Sequence, residues 1–507
     1  MDLYGYSIIL NQVLLLQFKQ QSHSKYLPIN YLHRYLHIKN YKLTCIQHFF
    51  AMGVLSIAAP GHWAGVALCD SSSIETKWFE QPLDHFDKDE TRVWKMRYFE
   101  RLDYWKKDGP VYLFISGEGE ASELSLQTGL LYDLARETDG AMYLSEHRYY
   151  GHSIPFAELS TENLKYLSSK QALADLARLL EEIKMVSQFK HSKVVVVGGS
   201  YAGNLAAWMK LLYPELVDAA IASSAPVLAQ KDFYEYLEIV NDDFEQYGTP
   251  GCLNKISEIF RKYDKLFQSI SGIEQLKKEE QICSDNDMTK AENRQLFFLD
   301  KTSVFKNQTQ YGSPESIKGY CQEISDTLRV ISSKEGDTFW KEKNNCYNYD
   351  FDSMIENMKE VDGATAWTYQ TCTEFGYYQT TTSKKQPFTN NIPVELFYKL
   401  CTKSFGPDFN EKRIDEGIVN TNLIYGGLKP NVTHVVFSNG GLDPWSRLGV
   451  YEDISYDAPA KVISSTTHCR DLSSDRSEDP EELQKARKYI KYLIKKWIGA
   501  GEFKQPE

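Results

Sequence analysis

Several features that mark common functional classes are missing from these 507 residues. The sequence has no C-x-x-C pair, which excludes a zinc ribbon or a thioredoxin-type redox site. It has no P-loop lysine motif, and Gly117-Glu118-Gly119 is not followed by the third glycine of a dinucleotide-binding loop, since position 122 is Ser. Glu146, His147 and His152 lie close together without a second ligand cluster to support a metal site. We therefore predict no cofactor and no metal ion.

Positive charge and long apolar runs are also scarce. The formal net charge is -12, and because an acidic surface repels phosphate backbones, we expect no nucleic-acid partner. No stretch reaches the ~18 uninterrupted apolar residues that a spanning helix needs, so no membrane span is predicted.

The N-terminal part differs from the rest of the chain. Residues 1–51 are read as an atypical extension, and residues 52–70 as a signal peptide that begins at Met52 and ends in small residues near Ala67. A mature chain beginning at Met1 would contradict this. The interpretation predicts a secreted, lysosomal or vesicular protein.

Cysteines and sequons agree with an oxidising compartment. Six of the nine cysteines lie between residues 252 and 401, which is typical of a disulfide-bonded region, although the pairing is open and six reduced core cysteines remain the alternative. Asn307 and Asn431 each begin an N-x-Thr sequon and are predicted glycosylation sites.

Strands and helices alternate over two separate parts of the chain. Apolar runs at 111–115, 141–144, 194–197 and 219–221 predict strands, with helical patterns over 162–186 and 204–212 between them. The rhythm returns at 434–437 and 461–463 and ends in a charged helix over 481–497. Alternation of this kind predicts an α/β protein with a parallel sheet. We assign 75–229 and 396–500 to the core, and the polar, cysteine-containing segment 230–395 to a mainly helical cap insertion.

The strongest chemical motif is Val194-Val195-Val196-Val197-Gly198-Gly199-Ser200-Tyr201-Ala202-Gly203. A strand that enters a turn of small residues around a serine, followed by a helix, matches the nucleophile elbow of α/β-hydrolases. Ala202 stands where glycine is more usual. The elbow predicts Ser200 as the nucleophile and the Tyr201 N–H as one oxyanion donor. A second donor is expected in the turn after the 111–115 strand, at Gly119.

An acid and a histidine follow in the order that this fold uses. Asp443 follows the 434–437 strand, and His468 follows the next strand, 25 residues after Asp443. Parallel strands collect such residues at their carboxyl edge. We predict that His468 acts as general base on Ser200 and that Asp443 orients the imidazole.

Seven segments together resemble the prolyl-specific serine peptidase family that includes lysosomal Pro-Xaa carboxypeptidase, dipeptidyl peptidase II and thymus-specific serine protease. The resemblance runs from about residue 76 to 498, and the opening segment is most similar to the thymus-specific branch. The segments are 79–86, 117–119, 146–151, 171–175, 198–201, 367–376 and 439–446.

The resemblance implies the fold, the triad and the substrate class. It implies an α/β-hydrolase core with a disulfide-bonded helical cap, and a triad of Ser200, Asp443 and His468. It also implies exopeptidase cleavage beside proline in short peptides, usually at acidic pH. A segment that departs from the family follows the histidine, where Cys469 could be an unpaired thiol.

Four residues are candidates for substrate binding. A proline ring requires a shallow apolar pocket, and Trp445, Trp367 and Tyr369 are candidate walls, with core packing as the alternative. Glu374 could bind a substrate amino terminus or act as a structural acid.

Other readings stay open: a serine esterase, or a non-catalytic secreted α/β-hydrolase that binds a partner. The residues leave open which peptide end is attacked, and a homodimer is one expectation for the oligomeric state.

Overall fold

A computed structural model describes residues 74–327, 330, 346–361 and 363–500. The extension predicted at 1–51 and the signal peptide predicted at 52–70 lie outside the described residues. Within the described part, no helix combines the length and the apolar character needed to cross a membrane.

The core is built on an eight-stranded sheet with the strand order β1-β2-β4-β3-β5-β6-β9-β10. Strands β1 and β2 form an antiparallel pair, β2 joins β4 antiparallel, and the remaining neighbours are parallel. The strands are β1 Glu75–Pro82, β2 Val93–Arg101, β3 Val111–Ile115, β4 Ala141–Ser145, β5 Val194–Gly199, β6 Ala219–Ser223, β9 Val435–Gly440 and β10 Ala460–Ile463.

Helices cover both faces of this sheet, which is why its central strands are apolar throughout. Along β5, Val194 and Val196 belong to one core cluster, while Val195 and Val197 belong to the other. This alternation is what a doubly covered strand requires. The core helices are α1 Leu130–Glu137, α2 Thr161–Leu164, α3 Ser169–Met185, α4 Tyr201–Leu212 and α14 Glu481–Ile498. The first face is packed by α3 and α4, and the second by α1 and α14. The predicted α/β-hydrolase architecture is confirmed.

A mainly helical cap lies between β6 and β9. It contains a two-stranded parallel ribbon formed by β7 (Gln230–Asp232) and β8 (Gly376–Tyr378). Its helices are α5 Glu235–Tyr247, α6 Cys252–Leu266, α7 Ile270–Glu279, α8 Ala291–Tyr311, α9 Pro314–Thr327, α10 Phe351–Met358, α11 Ala364–Gln370, α12 Val394–Phe405 and α13 Glu411–Tyr425. The boundary predicted at residue 395 falls at the start of α12, and the sheet resumes only at β9.

Three disulfides lie inside the cap. They join Cys252 to Cys321, Cys283 to Cys346, and Cys372 to Cys401. The alternative of six reduced cysteines is therefore wrong. Cys469 is a free thiol.

Candidate active site

Ser200 occupies a strained turn between β5 and α4. Its backbone has φ 57° and ψ −133°, a conformation that L-residues rarely adopt outside functional turns. A side chain at Gly198 would place its Cβ 2.0 Å from the carbonyl oxygen of Ala202, so this position accepts only glycine. The Ser200 N–H donates to the carbonyl of Ser223, 2.9 Å away at the end of β6. These contacts hold the elbow at the carboxyl edge of the sheet.

Asp443 and His468 meet at the same edge. The Asp443 carboxylate is fully buried and lies 2.7 Å from Nδ1 of His468. Its other oxygen accepts the N–H of Trp445 at 3.0 Å, which fixes the carboxylate at the start of the Pro444–Leu448 turn. In the neutral imidazole Nδ1 therefore carries the proton, and Nε2 presents its lone pair.

Ser200 and His468 approach each other through their neighbours. A Cβ built on Gly199 would lie 2.8 Å from Sγ of Cys469. Gly199, which precedes the serine, therefore packs against Cys469, which follows the histidine. Nε2 of His468 is buried and has no hydrogen-bond partner among the described residues. Bonds between nucleophile and base are often long in ligand-free sites and tighten when substrate binds. The arrangement leaves Nε2 available to a nearby hydroxyl.

The electrostatic surroundings favour a basic imidazole. Burial opposes the charged form of His468, but interactions with Cys469 and Asp443 outweigh it, so the pKa of His468 is raised well above its usual range. A carboxylate beside the imidazole stabilises the imidazolium that proton abstraction produces.

The predicted oxyanion donors lie on two adjoining segments. Tyr201 is the first residue of α4, so its N–H has no acceptor within the helix. The loop after β3 packs on this helix start, because a Cβ on Gly117 would lie 3.4 Å from the N of Ala202. A Cβ on Gly119 would meet no atom within 4 Å, so Gly119 borders open space. The geometry is compatible with an anion held between these amides.

Two of the three predicted aromatic walls come together. The Trp445 ring lies 5.5 Å from Tyr377, and the Trp367 ring lies 6.5 Å from the same tyrosine. The Trp367 ring also lies 5.5 Å from the ring of Tyr201, the residue after Ser200. We call Trp445, Tyr377 and Trp367 the aromatic wall. Tyr369 instead packs on Phe405 and Phe409 within the cap. These contacts favour the alternative, in which Tyr369 is a core residue.

Glu374 lies in a buried hydrogen-bond network. Its carboxylate accepts the N–H of Ser169 at 2.9 Å and the hydroxyl of the same serine at 2.6 Å. Burial raises its pKa to about 7, against the opposing effect of the Ser169 hydrogen bonds. These contacts favour the structural-acid reading of Glu374 over amino-terminus binding.

Three side chains near the site were not singled out from the sequence. Asp471 accepts hydroxyl hydrogen bonds from Ser223 at 2.5 Å and Ser438 at 2.6 Å, and so joins β6 and β9 to the histidine loop. Tyr377 contacts both tryptophans of the aromatic wall. Burial raises the pKa of the Glu118 carboxyl, and the nearby His468 opposes this increase. Only the position of Glu118 after a predicted strand could have suggested its place.

The remaining predicted positions have simpler surroundings. Glu146 pairs with Arg97, and His147 lies 3.1 Å from the Tyr201 hydroxyl, so both support the sheet edge. Within residues 74–327, 330, 346–361 and 363–500, no cluster of His, Cys, Asp or Glu is arranged to hold a metal ion. The Asn307 and Asn431 side chains are exposed, as glycosylation would require.

Comparison with known proteins places this geometry in a family. The chain is 31% identical to lysosomal Pro-X carboxypeptidase of Homo sapiens over 447 residues, which cover 83% of this chain and 88% of the relative. It is 30% identical to thymus-specific serine protease of Mus musculus over 455 residues, which cover 83% of this chain and 87% of the relative. The family profile described as serine carboxypeptidase S28 matches residues 81–490. The chain therefore belongs to the serine carboxypeptidase S28 family and is a serine peptidase.

Proposed function

We propose that this peptidase removes short units from peptide ends beside proline through an acyl-enzyme formed on Ser200. The observation that carries the proposal is the Asp443–His468 hydrogen bond of 2.7 Å, with an unpartnered Nε2 beside the Ser200 elbow. The name of the human relative, Pro-X carboxypeptidase, supports proline as the recognised residue.

The reaction follows from the positions of these groups. Ser200 Oγ attacks the scissile carbonyl while Nε2 of His468 takes the hydroxyl proton. The resulting oxyanion is held by the N–H of Tyr201 and by the Gly119 loop. The imidazolium then gives its proton to the departing amine, leaving the acyl-enzyme. Water, deprotonated by His468, releases the acid product and restores Ser200.

The cap explains why peptide ends would be preferred. Tyr311, at the end of cap helix α8, lies 6.1 Å ring to ring from His468. An element this close to the base leaves little room for a folded chain on that side. The aromatic wall supplies the apolar surface that a proline ring, which lacks an N–H, would contact.

A peptide library read by mass spectrometry, at pH 5 and pH 7, tests the proposal. We expect the wild type to trim Pro-containing peptides at one end and Ser200→Ala to trim none while staying folded. Cleavage of simple esters without any cleavage of Xaa-Pro peptides would contradict it. The localisation goes with the same proposal: the disulfides and the lysosomal relative support a lysosomal or secreted protein, which fractionation of cells would test.

A further inference from the structure

A second carboxyl group, on the cap helix that packs against the Pro444–Leu448 turn, has no role in the reaction above. Asp243 is on cap helix α5 and is only 5% exposed. Its Oδ2 atom is buried and has no hydrogen-bond partner among the described residues. An ionised carboxylate in such a place would carry a large desolvation cost, so its surroundings demand a neutral group.

Helix α5 connects Asp243 to the site. The helix packs against the Pro444–Leu448 turn that follows Asp443. Tyr236, on the same helix, lies 5.7 Å ring to ring from Trp445, and its hydroxyl donates to Gln310 at 2.6 Å. A shift of α5 would therefore move the supports of both Asp443 and the aromatic wall.

The groups around Asp243 are mostly acidic or neutral. Asp242 and Asp443 contribute negative charge, and together with burial, the largest cause, they raise the pKa of Asp243 to about 8. Tyr247 of the same helix and Tyr451 beyond the Pro444–Leu448 turn also sense its charge. From α8, Lys306 lies over the Tyr236 ring at 5.9 Å and forms no described ion pair with Asp243. Burial lowers the pKa of Lys306 to about 7.

We propose that Asp243 is a positioning residue that must be neutral for the Asp443 loop to hold its working geometry, so that ionisation of Asp243 sets an alkaline limit on activity. When Asp243 loses its proton, it repels the buried carboxylate of Asp443, and the contact between α5 and the Pro444–Leu448 turn is weakened. Asp443 and Trp445 then leave the positions that support His468 and the substrate. This inference rests on the proposed function of Ser200, Asp443 and His468.

The adjacent pair Asp242 and Asp243 provides a matched control. Asp242 forms an ion pair with Lys385 at 2.7 Å and is partly exposed, whereas Asp243 is buried. We compare Asp243→Asn with Asp242→Asn by measuring kcat/KM on a Pro-containing peptide from pH 5 to pH 9. The rate at which a fluorophosphonate labels Ser200 is measured over the same range.

The two variants are expected to differ above about pH 7, where Asp243 begins to ionise. Wild type loses about fivefold in both rates between pH 8 and pH 9, as a single group with a pKa of about 8 requires. Asp242→Asn removes one of the charges that raise this pKa, so it shows the same decline at a somewhat lower pH. Asp243→Asn shows no decline in either rate there and matches the wild type at pH 6. A parallel decline in Asp243→Asn, or no decline in the wild type, would overturn the proposal.

Two further arms separate the ways of failing. Labelling needs only a reactive serine, so labelling without peptide cleavage refutes the proposed substrate class and still tests Asp243. Should Asp243→Asn not fold, Asp243→Ser replaces it. The proposal holds that the neutral side chain is the working form. Failure of both neutral variants to fold at pH 5 would therefore count against it.

Discussion

The main-chain N–H of His468 donates to the main-chain carbonyl of Gln310, 3.0 Å away. The histidine belongs to the core and the glutamine to the last turn of cap helix α8, so the proposed general base is held by both parts of the chain. A main-chain bond of this kind is independent of side-chain identity. The cap therefore contributes to the position of His468.

Asp443→Asn should leave a folded protein with a disabled base. The amide can no longer accept the Nδ1 proton as an anion does, so the imidazole loses its orientation and its stabilised charged form. We expect kcat to fall by roughly 10³–10⁴, measured on a Pro-containing peptide with circular dichroism as the folding control. His468→Ala combined with Asp443→Asn should cost little more than His468→Ala, because the triad acts as one unit. A fall of less than tenfold would refute the role of Asp443.

Cys469→Ser should shift the acidic limb of the pH profile. The interaction with the Cys469 side chain is one cause of the raised pKa of His468, so removal of that side chain lowers the pKa. A base with a lower pKa stays deprotonated to lower pH, and the acidic limb of kcat/KM moves in the same direction. Cys469→Ala should behave alike. An unchanged limb, or one moved to higher pH, would show that the thiol does not act on the imidazole.

Glu374→Gln should change how stability depends on pH. The folded pKa of about 7 lies above the usual 4.5, so the native state holds this proton more tightly than the unfolded chain does. The resulting stabilisation is complete below the unfolded pKa and is lost as the pH rises through about 7. Relative to Glu374→Gln, the wild type should lose about 3 kcal/mol of unfolding free energy between pH 4 and pH 8.

Urea unfolding at the two pH values measures this difference. Glu395→Gln, which changes an exposed carboxylate of α12, serves as the control and should follow the wild type. Equal losses of unfolding free energy in Glu374→Gln and the wild type would show that folding does not raise the pKa of Glu374.

Trp445→Ala should weaken selection for proline. The indole supplies apolar contact to a ring, and losing one such contact typically costs 1–3 kcal/mol, or about 10–200-fold in discrimination. We expect the ratio of kcat/KM for Pro and Ala peptides to fall by at least about tenfold. Tyr369→Phe, placed away from the aromatic wall, should leave the ratio unchanged. Equal effects of both substitutions would remove Trp445 from the pocket.

Two glycine substitutions should differ sharply in stability. Gly198→Ala forces a methyl group to within 2.0 Å of the Ala202 carbonyl oxygen, so the elbow cannot close, and we expect little folded protein. Gly119→Ala meets no atom within 4 Å and should change the unfolding free energy by no more than about 0.5 kcal/mol. Thermal unfolding of both variants measures the contrast, and a stable Gly198→Ala would contradict the elbow geometry.

The sequence predicted the central strands because their pattern is unambiguous. The run Val194–Val197 is apolar on every residue, and such a run followed by small residues has few other interpretations. The antiparallel pair β1 and β2 was not predicted. Strand β1 lies at the sheet edge with Glu75 and Lys77 among its residues, and an exposed, charged edge strand carries no apolar run.

Contacts between distant residues limited what could be predicted about the site. The order of Ser200, Asp443 and His468 was readable because each follows a strand. The network of Glu374 was not, since its partner Ser169 is 205 residues away in the chain. The same holds for Asp243, which the sequence shows only as one of two adjacent acids on a helix. Whether a charged residue faces solvent or a neighbour depends on packing, which periodicity alone does not resolve.

All three described disulfides lie between Cys252 and Cys401, and none crosses the strands of the described sheet. A mild thiol reductant should therefore destabilise the cap before it destabilises the central sheet. Because His468 is hydrogen-bonded to the cap through Gln310, reduction should first lower the rate and the substrate selectivity of peptide cleavage. The central sheet should stay folded under the same conditions.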